Sequence, residues 1–188
     1  MNKLKQTVFL ALGALTCLGN AASASERIKR PMHIHEVPEL GLSIWTEYNP
    51  EWLVDLRYAG QRPVFLVQSP VNVYPPVSFS VMSFRGMDVD PQSMAGIVET
   101  AFGQGVMNYE GKLDSLVQEE MVAKEYGSLS GYEIEFSADV HGRESDVRVF
   151  LGAKEGHGPV LLQAHTPAGK MEHADEALRR SWENIDYL

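Results

Sequence analysis

The stretch Tyr132–Val140 limits the fold more than any other part of the chain. Tyr132, Ile134, Phe136, Ala138 and Val140 alternate with Glu133, Glu135, Ser137 and Asp139. A helix would scatter that pattern around its circumference, whereas a strand sorts it onto two faces. Val147, Val149 and Leu151 resume the apolar alternation after a turn. A loop at Gly142-Arg143-Glu144-Ser145 predicts the pairs Val140–Val147 and Phe136–Leu151. The same register sets Asp139 opposite Arg148 and Glu133 opposite Lys154, and both pairs attract. The chain is therefore expected to build an antiparallel sheet around this hairpin.

Other segments supply neighbours. Gly41–Ile44, Trp52–Tyr58, Val77–Phe84 and Val160–Thr166 read as strands, and the apolar run Val64–Val67 as a buried one. Residues 113–126 are ambiguous: their spacing by itself fits a helix better than a strand, while their context favours a strand. Asp90-Pro91 carries a cap followed by proline at the first helical position. Met94, Ile97, Val98, Ala101, Phe102 and Val106 then follow helical spacing. Thr166-Pro167 repeats the signal before Met171, Ala174, Leu178, Trp182 and Ile185. The expected fold class is α+β: a mainly antiparallel β-sheet with a mid-chain helix and a C-terminal helix packed on it. With no internal repeat, residues 39–188 are expected to form a single domain.

The first 24 residues read as an address. Lys3 and Lys5 precede the short apolar run Val8–Gly19, and Ala22-Ser23-Ala24 offers a small-residue cleavage site. The run is shorter than the ~20 residues a membrane-spanning helix needs. This predicts a signal peptide over 1–24 and export to the periplasm. Cys17, the one cysteine, is expected to leave with the signal; the alternative is a lipid anchor to the envelope through Cys17. The formal charge of −9, less Lys3 and Lys5, gives −11 after cleavage. That balance argues against nucleic-acid binding, which needs clustered Lys and Arg. Polar residues 25–38 are expected to be a flexible N-terminal segment.

The order of these elements resembles the PsbP/DcrB-like family. The residues that carry the resemblance are Gly41-Leu42-Ser43-Ile44, Asn49-Pro50-Glu51-Trp52, Pro76–Val81 and the helix after Asp90-Pro91. They continue through Gly131-Tyr132-Glu133-Ile134-Glu135 to Trp182 and Ile185, so that the match runs over about residues 40–188. The resemblance implies a fold used mainly for binding proteins: assembly factors, periplasmic lipoproteins and chaperones of secreted effectors. It brings no shared catalytic motif.

The chemistry-bearing residues fit that expectation. His33 and His35 stand two apart, on one side of any strand, and with a third ligand could hold Zn²⁺ or Cu²⁺; a polar tail accounts for them more simply. His141, His157, His165 and His173 show no metal spacing. Glu133, Glu135 and Asp139 share a strand face and could bind Ca²⁺ or do acid–base work, but a solvated face balanced by Arg148 and Lys154 explains them. No Gly-x-Ser-x-Gly elbow occurs. The feature most suggestive of a partner is Ser69–Pro76, with three prolines. Such a stiffened loop loses little entropy on binding, and Val73, Tyr74 and Pro75 are its candidate contacts. The expected function is that of an exported, non-enzymatic protein-binding or accessory protein without a cofactor. An immunity protein against a periplasm-acting toxin and a small metal-assisted hydrolase are the alternatives.

Overall fold

The computed structural model describes residues 31–87 and 121–188. Ten strands and one helix are found among them. The strands are β1 (Met32–Val37), β2 (Leu42–Glu47), β3 (Leu53–Ala59), β4 (Arg62–Gln68), β5 (Ser78–Ser83), β6 (Val122–Tyr126), β7 (Leu129–Asp139), β8 (Glu144–Ala153), β9 (Val160–Pro167) and β10 (Asp186–Tyr187). The helix, α1, is Met171–Trp182. The strands make a seven-stranded sheet in the order β3-β4-β5-β9-β8-β7-β6 and a three-stranded sheet in the order β1-β2-β10. Every pairing is antiparallel.

This overturns the α+β expectation. The described residues form a mainly-β fold of two sheets with one helix, not one sheet with two helices packed on it. The helix expected after Asp90-Pro91 lies outside the described residues, as does 113–120 of the ambiguous segment; its last part is β6. Polar residues 25–38 were expected to be mobile, yet Met32–Val37 forms β1. His33, His35 and Val37 share one face and alternate with Met32, Ile34 and Glu36, a strand pattern concealed because two positions of that face are histidines. The compact unit accordingly begins at Pro31, ahead of the expected boundary at 39.

The main hairpin also differs from its expected register. Phe136 faces Val147, Glu135 faces Arg148, Glu133 faces Phe150 and Asp139 faces Glu144. The turn is Val140–Arg143, closed by Val140 N–H to Arg143 O at 2.8 Å and Arg143 N–H to Val140 O at 3.2 Å. His141 (φ 54°) and Gly142 (φ 77°) both take left-handed conformations, as a type I′ turn requires. The two-residue turn precedes the four-residue loop read from the sequence and moves every pair by four positions. An even shift preserves the two faces, so the apolar alternation still points one way.

One face of the large sheet meets α1 and the small sheet. Phe65, Val67, Phe79, Val81, Phe150 and Leu162 pack there with Leu42, Ile44, Leu178 and Trp182. On the other face Met82, Ile134, Val147, Val149, Leu151 and Leu161 are also buried. β8 is therefore buried on both faces, which explains the long unbroken apolar run Val147–Leu151 apart from Arg148. Thr166 and Pro167 belong to β9 and do not start the helix; the Thr166 hydroxyl donates to Pro76 O at 2.9 Å. Asp146 of β8 caps α1 instead, accepting the N–H of Lys170 at 2.9 Å and of Met171 at 3.2 Å.

Candidate functional site

The charged residues singled out in the sequence do converge, but upon one another. Arg148 and Glu133 are buried among apolar strands. Arg148 donates to Glu135 Oε1 at 2.6 Å from Nη2 and to Asp175 Oδ1 of α1 at 2.6 Å from Nη1. Glu133 Oε2 lies 3.9 Å from Arg148 Nε and accepts the Tyr126 hydroxyl at 2.5 Å. Lys124 stands 3.9 Å from the other Glu133 oxygen. Burial opposes the charge on Arg148, but the hydrogen bond to Asp175 and the charges of Glu135 and Glu133 outweigh it and hold the guanidinium ionised. Burial, together with the bond to Glu133, pushes the Tyr126 phenol far above its ordinary range. The group ties helix to sheet and leaves its proton donors and acceptors engaged.

The other members of that expected face go elsewhere. Asp139 Oδ1 accepts the Gly142 N–H at 2.6 Å in the turn. Lys154 pairs with Asp186 at 3.1 Å, not with Glu133. No single site gathers Glu133, Glu135 and Asp139.

His33 and His35 do share one face of β1, their rings 4.5 Å apart. His33 Nδ1 lies 3.5 Å from Glu51, and His35 Nε2 bonds Thr46 Oγ1 at 2.8 Å. Burial, and then the neighbouring His33, lowers the His35 pKa. Among the described residues no three His, Cys, Asp or Glu side chains are grouped to hold a metal ion. The His165 pKa is likewise lowered, by burial first and by His141 second. His157 stacks on Tyr187 at 4.2 Å.

A shallow cleft of about 400 Å³, lined in part by Arg85, His157, Tyr187 and Gly41, had no signature in the sequence. Its residues come from four separate segments. Arg85 donates to Pro38 O at 2.6 Å and to Leu40 O at 3.0 Å. Gly41, at φ 66°, leaves the space that this guanidinium occupies.

The loop between β4 and β5 is different in kind. Ser69 N–H bonds Val77 O at 2.8 Å, Val77 N–H bonds Ser69 Oγ at 2.9 Å, and Val73 N–H bonds Pro70 O at 2.9 Å. The loop is thus pinned at both ends and turned inside. Pro75 is buried, Val73 half-buried and Tyr74 75% exposed. Val71, which the sequence reading passed over, is fully exposed. Lys170 Nζ lies 5.7 Å from the Tyr74 ring centroid. The predicted contacts therefore divide: Pro75 is an anchor inside the fold, and Val71 with Tyr74 forms the outward apolar pair.

No family model matches the chain, and no curated protein matches it. Among solved structures, one from Bacteroides thetaiotaomicron VPI-5482 superposes with a TM-score of 0.55 at 11% identity, covering 82% of this chain. The chain spans about half of that protein's length, 48%. LpqN of Mycobacterium tuberculosis, a protein involved in cell envelope biogenesis, matches with a TM-score of 0.40 at 13% identity, over 81% of this chain and 90% of LpqN. The Bacteroides likeness is one of fold. No helix among the described residues is long and apolar enough to cross a membrane.

Proposed function

We propose that this chain is an exported accessory protein that works by binding another protein, without catalysis of its own. The observation that carries the reading is the 69–76 loop, where Val71 and Tyr74 stand exposed on a hydrogen-bonded frame. Exposed apolar side chains on pinned backbone lose little freedom when a partner covers them. The charged cluster around Arg148 supports the same reading, since its carboxylates are engaged in holding α1 to the sheet. The pattern-level resemblance to the PsbP/DcrB-like family is consistent with a binding class, and the 1–24 pattern with export into the periplasm.

Affinity capture from a native envelope extract, read by mass spectrometry, tests this. The wild-type chain should retain one stoichiometric protein, and Val71→Asp or Tyr74→Ala should release it. Retention unchanged by both substitutions, or no protein retained, would overturn the reading. N-terminal sequencing of the same sample should begin at Ser25.

A further inference from the structure

The geometry points to a second interaction surface: the outer edge of β3, built to pair with β3 of a second copy of this chain. β3 is the last strand of the large sheet, and among the described residues nothing pairs with its outer side. Leu53 is 62% and Tyr58 60% exposed, and only Leu56 of the strand is partly covered. This seven-residue edge presents Leu, Val and Tyr beside two charges of opposite sign, Asp55 and Arg57, which guard against an unmatched strand but can be satisfied by a matched one.

The turn fixes which backbone groups are free. Ala59 pairs with Arg62 across Gly60-Gln61, and Gly60 has φ 64°. Glycine with positive φ at the first central position marks a type II′ turn, which closes on a hydrogen-bonded pair. Alternation then turns the N–H and C=O of Ala59, Arg57, Asp55 and Leu53 toward β4, and those of Tyr58, Leu56 and Val54 outward. Pro63, which has no N–H, sits opposite Tyr58, as a non-bonded position allows.

Two β3 edges meeting antiparallel about a two-fold axis at Leu56 use all three outward residues. Val54 bonds Tyr58 of the second copy, Leu56 bonds its own equivalent, and Tyr58 bonds Val54, giving about six hydrogen bonds. On the α1 side these are apolar pairs that continue the surface of Leu56, Phe65 and Val67. On the other side Asp55 falls opposite Arg57 and Arg57 opposite Asp55. In the single chain these two bond each other at 2.7 Å, both largely exposed; pairing gives each a cross-strand partner as well. A slip of two residues one way sets Asp55 against Asp55, and the other way Arg57 against Arg57. Opposed like charges disfavour both slips, so the sequence selects one register. A surface that is complementary to itself about a two-fold axis is what a homodimer requires. Its area is that of one strand edge, so the dimer should form in a concentration-dependent equilibrium.

Sedimentation of the full chain, as the cell delivers it, tests this. The expected result is a monomer–dimer equilibrium. Tyr58→Pro removes an outward N–H that the β4 ladder does not use, so it should abolish the dimer and keep the thermal melt. Asp55→Arg and Arg57→Asp alone should each weaken self-association by about tenfold or more, since each sets like charges opposite. Mixing those two variants should restore association as a heterodimer, and the doubly exchanged chain should again pair with itself. That charge exchange decides the matter even if Tyr58→Pro does not fold. A wild-type chain that stays monomeric up to about 1 mM would overturn the proposal. So would a dimer that the charge variants leave unchanged.

Discussion

Arg148 and Tyr74 stand in opposite relations to water. The first is a permanent charge buried among apolar strands, and the second is an aromatic ring left three-quarters exposed. Each reverses the usual sorting of residue types. The charge is tolerated because three carboxylates surround it, contributed by β7 and α1. The ring has no such compensation within the fold, apart from Lys170 above it. A buried polar residue whose partners are all internal has its explanation in the fold. Exposed Val71 and Tyr74 on fixed backbone have none there, and the proposed partner is what would supply one.

The sharpest way to break this contrast is to remove the cation. Arg148→Ala leaves buried Glu133 with only half-exposed Lys124, 3.9 Å away, as an opposite charge and releases Asp175 of α1. Loss of one partner from a buried pair costs about 3–5 kcal/mol. Urea denaturation should show that loss, with the slope unchanged. Arg148→Met keeps much of the volume and should be nearly as damaging, which separates charge from packing. A loss below about 1 kcal/mol for both would show that water reaches the cluster and that it is not a structural tie.

Proton binding sharpens the same contrast at a smaller scale. Burial first, and the neighbouring His141 second, lowers the His165 pKa in the folded state. His35 is lowered by burial and then by His33. The unfolded chain thus binds protons at these residues more readily than the folded one. Stability from them is complete above the ordinary histidine value of 6.5 and declines as pH falls through it toward the lowered folded values. Thermal melts at pH 7.5 and 5.5 should show a lower midpoint at the acid end. His165→Gln should reduce that difference.

How far these features could be read from the sequence follows from the range of the forces behind them. The 132–140 alternation is local and survives any register, which is why the faces were legible. The register itself hung on two residues, His141 and Gly142, whose left-handed backbone has no signal in hydropathy. β1 was concealed because the face it shares with Val37 carries His33 and His35, and His35 finds its partners, Thr46 and Phe65, only in the folded chain. Asp175 could not be connected with Arg148, since 27 positions separate them and only the packing of α1 on β8 unites them. The apolar stripe revealed α1, but it ran on to Ile185, past the helix end at Trp182, and the start was not legible because the cap is Asp146 from another strand. The 69–76 loop was legible as a loop, while the difference between buried Pro75 and exposed Val71 depended on how its ends are pinned.

The smallest expected effect on stability is also the one that bears most on function. Val71 and Tyr74 bury little, so Val71→Ser should change unfolding free energy by no more than about 0.5 kcal/mol and Tyr74→Ala by no more than about 1 kcal/mol. Lys170 stands over the Tyr74 ring, a contact worth about 0.5–1 kcal/mol at exposed sites, which sets the upper bound for Tyr74→Ala. Partner binding should respond in the opposite order. Truncating a central aromatic anchor typically costs about 2 kcal/mol or more of binding, close to a thirtyfold loss in affinity. Arg148→Ala, assayed at a temperature where it remains folded, should bind normally. Fold and recognition would then separate by residue: Arg148 moves the melt and not the affinity, Tyr74 the affinity and not the melt. If Tyr74→Ala instead lowered stability by 2 kcal/mol and left capture unchanged, the loop would be a structural clasp between β4 and β5, and the contrast with Arg148 would collapse.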